Sequence, residues 1–73
     1  MKKEDREAVD RVFELVRPYI SDSDDLRKNL NQNIELSSNL DEFVKNFEET
    51  TSQIDDSSKK TDCKIFLNKL KSW

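Results

Sequence analysis

The sequence predicts an all-α fold, a small antiparallel bundle of three to four helices. The clearest indication is the stretch 34–51, where Leu40, Phe43, Val44 and Phe47 recur at helical steps and the charged residues fall elsewhere. Similar apolar spacing returns towards both ends of the chain. A length of 73 residues leaves room for one small domain, so residues 1–73 are expected to form a single helical domain.

The first predicted helix runs from about Glu4 to Ile20. Its wide apolar face consists of Ala8, Val9, Val12, Phe13, Leu15, Val16 and Ile20. Pro18 has no N–H and disfavours helical geometry at Arg17, so this helix should kink or end early. The acidic run Ser21 to Asp25 is typical of a turn and a cap. It lacks the glycine and final glutamate of a calcium loop, so no metal site is predicted there.

The segment from Leu26 to Leu36 combines helical spacing with several asparagines. Its apolar residues, spaced as on a helix, are Leu26, Leu30, Ile34 and Leu36. Asparagine competes with the backbone for hydrogen bonds, so Asn29, Asn31 and Asn33 weaken a continuous helix. We therefore predict a partly helical loop whose four apolar side chains anchor it to the core.

A coiled coil is the alternative for this middle part of the chain. Strict four-three spacing joins Leu26, Leu30, Asn33, Ser37, Leu40, Val44, Phe47, Thr51 and Ile54. Polar residues occupy three of these positions, and Ile34, Leu36 and Phe43 would lie off the seam. A globular, monomeric bundle with a break between Asn31 and Ser38 is therefore favoured.

The helix around Phe43 is expected to begin at a serine. Ser37 and Ser38 offer side-chain oxygens to free backbone N–H groups, and Ser38 with Asp41 has the spacing of a capping box. The exposed side of this helix is acidic and includes Asp41, Glu42, Glu48 and Glu49. Between residues 35 and 56 there are seven acidic residues and one basic residue. Such a surface attracts basic partners and repels nucleic acid.

A final helix is predicted after a polar connection, with Thr61 as its cap. Its inward residues are Cys63, Phe66, Leu67 and Leu70. We expect Trp73 to fold back onto the core, since its large apolar surface is costly to leave in water.

Composition argues against catalysis within the chain. It contains no histidine and no glycine, and Cys63 is its single cysteine, so catalytic triads, glycine-rich phosphate loops and cysteine or histidine metal sites are excluded. No catalytic residue and no metal are therefore predicted. No apolar run is long enough to span a membrane, and a cytoplasmic location is expected.

The whole pattern resembles the acyl carrier protein family. The segment IELSS is similar to the family's approach to its modified serine, and EFVKNFEE is similar to its acidic second helix. DRVFELVRPYI and TDCKIFLNKL resemble its first and last helices. The family's Asp-Ser-Leu motif is altered here, because Ser37 precedes Ser38 and Asn39 separates Ser38 from Leu40. The upstream spacing matches Ser38 to the modified serine, and the downstream spacing matches Ser37.

This resemblance implies a carrier of acyl groups on 4′-phosphopantetheine attached to Ser38 as the first choice, or otherwise to Ser37. It also implies that basic patches on partner enzymes dock to the acidic helix. Two non-enzymatic alternatives share the same surface: a helical interaction subunit that binds a helical protein partner, and a small acidic regulator of a basic protein. The carrier and these alternatives differ in whether the serine is modified or is only a cap.

Overall fold

Four α-helices make up most of the chain in the computed structural model, which describes all 73 residues. The helices are α1 (Lys3–Val16), α2 (Ser23–Leu36), α3 (Leu40–Ser52) and α4 (Ser57–Lys71). A 3₁₀ turn, Arg17–Tyr19, follows α1, as expected from Pro18. The bundle measures 30 × 24 × 21 Å, and the predicted all-α class is confirmed.

One cluster of buried side chains connects the four helices. Its 13 members are Val9, Val12, Phe13, Val16, Leu26, Leu30, Ile34, Phe43, Phe47, Cys63, Phe66, Leu67 and Leu70. At its centre, Phe66 meets Phe47 and Phe43 edge to face, with ring centroids 5.6 and 6.4 Å apart. Edge-to-face contacts between aromatic rings add about 0.5–1.5 kcal/mol each to the free energy of burial. Helix α3 therefore packs against α4 through aromatic rings.

Three helices begin at a side-chain cap. The cap oxygens of Asp22, Asn39 and Asp56 accept the N–H of Asp25, Glu42 and Lys59, at 3.1, 2.9 and 3.0 Å. Two predicted caps are therefore wrong. Ser38 lies one residue before the cap of α3. Thr61 lies inside α4, where its hydroxyl donates to the Ser57 carbonyl.

Helix α2 is continuous, so the prediction of a partly helical loop from Leu26 to Leu36 is wrong. The amide of Asn33 donates to the Asn29 carbonyl at 2.8 Å and accepts a hydrogen bond from the Thr50 hydroxyl at 3.3 Å. With both ends of its side chain bonded, this buried asparagine does not interrupt the helix. The chain leaves helical structure only after Leu36 and α3 packs back against α2, so the coiled-coil alternative is wrong as well.

Asp62 ties the start of α2 to α4. Its buried carboxylate accepts the backbone N–H groups of Ser21 and Asp22 at 3.0 and 3.1 Å. The connection after the 3₁₀ turn is thus fixed by a side chain 40 residues further along the chain. At the other end of α4, Trp73 is 56% exposed, and the prediction that it folds back onto the core is wrong.

Candidate functional site

Ser37, one of the two serines predicted to carry a group, belongs to the interior. Its hydroxyl donates to the Asn33 carbonyl at 2.6 Å and accepts a hydrogen bond from the Asn46 amide at 3.1 Å. The residue is only 6% exposed. These contacts join the end of α2 to α3, and they leave the oxygen enclosed between the two helices.

Ser38 is exposed, and its backbone, not its side chain, takes part in the start of α3. Its N–H donates to the Glu42 carboxylate at 3.2 Å, while the Glu42 N–H donates to Asn39. This is a reciprocal arrangement like a capping box, shifted by one residue from the predicted pair of Ser38 and Asp41. Asparagine is as good an N-cap as serine, so the sequence alone does not decide whether Ser38 or Asn39 caps α3.

The four predicted docking acids, Asp41, Glu42, Glu48 and Glu49, are all exposed on α3. Asp41 and Glu42 lie in the first turn, where the helix dipole favours negative charge. Glu48 pairs with Lys71 of α4 at 2.6 Å. Glu49 takes part in no ion pair within the chain. Three of these acids thus have a role within the fold, and the fourth has none.

An exposed leucine lies beside Glu49. Leu36, predicted to anchor the chain in the core, is instead 72% exposed at the end of α2. Leu36 and Glu49 line one groove between α2 and α3, with a volume of about 370 Å³. The other lining residues are Asn33, Asn46, Thr50 and Gln53. We call this the α2–α3 groove. Five of its six lining residues are polar, and Leu36 is the apolar one.

The sequence contained only a weak signal for this groove. Leu36 continues the apolar spacing of Leu26 and Ile34 imperfectly, and it is the last residue of its helix. Whether such a terminal leucine turns inward depends on the path of the next connection, and here Ser37 takes the inward position. Helical periodicity alone did not distinguish these two arrangements.

Neither a metal site nor a membrane-spanning helix is found in this fold. No group of three or more histidine, cysteine, aspartate or glutamate side chains is placed to hold a metal ion. None of the four helices is both long and apolar enough to cross a bilayer.

Burial raises the pKa of the Cys63 thiol above its ordinary value. A hydrogen bond with Thr51 opposes the rise, and the nearby carboxylates of Asp62 and Asp25 add to it.

Comparison with known proteins corrects the resemblance to acyl carrier proteins. No acyl carrier family model matches this chain, no curated protein matches it, and no solved structure matches it. The apolar spacings that suggested the resemblance occur in many amphipathic helices. The expectation of phosphopantetheine on Ser38 or Ser37 depended on that resemblance and on a serine cap, and Asn39 is the cap. The family model that does match is that of the MJ1579 family, over residues 6–73. The chain therefore belongs to the MJ1579 family.

Proposed function

We propose that this protein is a non-enzymatic interaction module that binds a basic, amphipathic helix of a protein partner in the α2–α3 groove. The observation that carries the proposal is the pair formed by Leu36, 72% exposed, and the unpaired Glu49 in the same groove. A partner that covers this leucine would remove its apolar surface from water, which contributes about 25 cal/mol per Å² buried. A carboxylate with no partner of its own is free to contact a lysine or arginine.

The other acids of α3 extend this surface. Glu42 lies one turn before Asn46, on the side of α3 that lines the groove, whereas Glu48 faces α4 and pairs with Lys71. Asp41, Glu42 and Glu48 are all exposed and make the surface of this helix acidic. Lys45 stands among them at three- and four-residue spacings and reduces their field. We infer that the acids mainly steer a basic partner towards the groove and raise its association rate, while Leu36 holds it in place.

The proposed setting is a monomer in the cytoplasm. Cys63 is the single cysteine and is buried, so no disulfide stabilises the chain, and a reducing compartment suits it. The core instead depends on packing around three phenylalanines. Light scattering in dilute solution should give the mass of one chain.

A basic model helix tests the proposed groove. The probe is a labelled peptide of about 15 residues, with lysine and alanine around leucines spaced four apart, so that it forms an amphipathic helix when it binds. Its binding to the full chain is followed by NMR, and we expect shifts at Leu36, Asn46 and Glu49. Glu49→Lys should weaken binding about five-fold at low salt, and Leu36→Ser should weaken it at any salt.

A matched charge reversal separates the groove from general acidity. Glu7 is exposed on α1 and takes part in no ion pair, so Glu7→Lys changes the net charge as much as Glu49→Lys does. Equal weakening by both substitutions, or shifts spread over the whole surface, would mean that the peptide responds to net charge and that the groove is not a docking site.

A further inference from the structure

A second groove lies on another side of the bundle, between the end of α1 and α4. Its volume is about 570 Å³, and four of its seven lining residues are apolar. One wall holds Leu15, Val16 and Tyr19, and the other includes Ile65 and Lys69. We call it the α1–α4 groove. It shares no lining residue with the α2–α3 groove.

The end of α1 explains why this groove is apolar and open. Because Pro18 stops α1 at Val16, the 3₁₀ turn carries Tyr19 away from the core and leaves it 74% exposed. Leu15, one turn earlier, is 45% exposed. These are two of the four large apolar side chains that the fold leaves in water. Apolar side chains exposed next to one another and bordered by polar residues form a surface that a partner can cover.

The charge along α4 indicates what kind of partner would fit. Lys69 and Asn68 line the groove. Lys60 and Lys64 precede Asn68 at four-residue steps, so they lie on the same side of α4 as Asn68. None of the three lysines takes part in an ion pair within the chain. The one acid of α4, Asp62, is buried and already bonded to two backbone N–H groups.

The opposite wall contributes no acidic residue to the lining of the groove. Glu14, next to Leu15 in the sequence, pairs with Arg17 at 3.7 Å. A ligand in the groove therefore meets apolar side chains along its floor and uncompensated lysines along one edge. Along α4 and its C-cap residue the lining runs from Ile65 to Ser72, about 10 Å or two helical turns.

We propose that the α1–α4 groove binds an acidic, amphipathic helical segment of another protein. The apolar side of that helix would cover Leu15, Tyr19 and Ile65, and its carboxylates would face Lys64 and Lys69. This site is separate from the proposed α2–α3 groove and takes a partner of opposite charge. Together the two grooves would let one small bundle hold a basic and an acidic partner at once.

A second copy of this chain fits the groove less well. In a symmetric dimer through this surface, the lysine edge of one copy would face that of the other. The acidic helix α3 of a second copy has no apolar stripe to offer, because Phe43 and Phe47 are fully buried in its own core. Charge and packing thus both favour a different protein.

The test uses an acidic model helix and its basic counterpart. The acidic peptide has about 15 residues, with glutamate and alanine around leucines spaced four apart, and the basic peptide has lysine in place of each glutamate. We expect the acidic peptide to shift the NMR signals of Leu15, Tyr19, Ile65 and Lys69 in the full chain. The basic peptide should leave these four signals unchanged.

Variants locate the site. Lys69→Glu should weaken binding of the acidic peptide about five-fold at low salt, and Tyr19→Ser should weaken it at all salt concentrations. The matched control is Lys28→Glu, an exposed lysine on α2 outside this groove, which should not change it. Circular dichroism will check that Tyr19→Ser, at an exposed position, keeps the fold.

Four results would overturn the proposal. The first is no binding of the acidic peptide, and the second is equal binding of both peptides at this groove. The third is signal shifts confined to other faces. The fourth is a dimer in sedimentation equilibrium that Tyr19→Ser dissolves, since the groove would then be filled by a second copy. If Lys69→Glu weakens binding of the acidic peptide and leaves binding of the basic peptide unchanged, the result supports the α1–α4 groove, independently of whether the α2–α3 groove binds a partner.

Discussion

Removal of the Asp62 carboxylate should destabilise the fold more than its single position in α4 suggests. Asp62→Ala removes the acceptor for the N–H groups of Ser21 and Asp22, which are bonded at 3.0 and 3.1 Å. A hydrogen bond to a charged group contributes about 1.5–3 kcal/mol. Ser21 and Asp22 are themselves exposed, so water replaces part of the loss. We therefore expect a total cost of about 2–3 kcal/mol in the free energy of unfolding.

This cost is large for a chain of this size. At about 0.05–0.15 kcal/mol per residue, 73 residues give a stability of roughly 4–11 kcal/mol. A domain of this length loses about 4–8 °C in Tm for each kcal/mol, so Asp62→Ala should lower Tm by about 10–20 °C. Thermal and urea unfolding followed by circular dichroism measure both quantities.

Two further variants make the reasoning testable. Asp62→Asn keeps one oxygen acceptor and should fall between the wild type and Asp62→Ala. Asp55→Ala removes an exposed carboxylate just before α4 and should change stability by no more than about 0.5 kcal/mol. If Asp62→Ala were as mild as Asp55→Ala, the two hydrogen bonds would contribute nothing measurable, and this account of the connection would be refuted.

Three other substitutions test the core, the cap and the thiol. Phe66→Ala should cost about 3–5 kcal/mol in urea unfolding, because it empties a fully buried aromatic site. Asn39→Ala should cost about 1 kcal/mol in the same assay, while Ser38→Ala should be nearly neutral, since Asn39 is the cap; the reverse order would contradict the capping assignment. The raised pKa of Cys63 stabilises the fold below the pKa of the unfolded thiol, and this contribution is lost as the pH rises towards the folded pKa. The wild type should therefore lose more stability than Cys63→Ala between neutral and alkaline pH, and parallel losses in both proteins would contradict this.

The parts of the fold that were predictable depend on local signals. The apolar spacing of Phe43 and Phe47 identified α3, and Pro18 located the end of α1. Both signals act within a few residues, so one sequence by itself is enough to interpret them.

The parts that were missed depend on contacts between distant residues. Asn33 was interpreted as a helix breaker, yet Thr50, 17 residues away, satisfies its amide and lets α2 continue. Asp62 carries no local signal of its role, because the two N–H groups that it binds lie about 40 residues earlier. Leu36 was assigned to the core because it follows the other apolar residues of α2 at helical spacing, and only the path of the following turn exposes it. No local pattern specifies such partners.

Both proposed grooves arise where a helix ends. Tyr19 is exposed because a proline stops α1, and Leu36 is exposed because it is the last residue of α2. Near each of them along the chain a smaller residue, Val16 in one case and Ser37 in the other, is buried instead. A partner bound at either proposed groove would remove this apolar surface from water. A partner present at a hundred times its Kd adds about 2.7 kcal/mol to the stability of its target. For a domain with roughly 4–11 kcal/mol in total, binding at either groove should therefore raise Tm as well as occupy a surface.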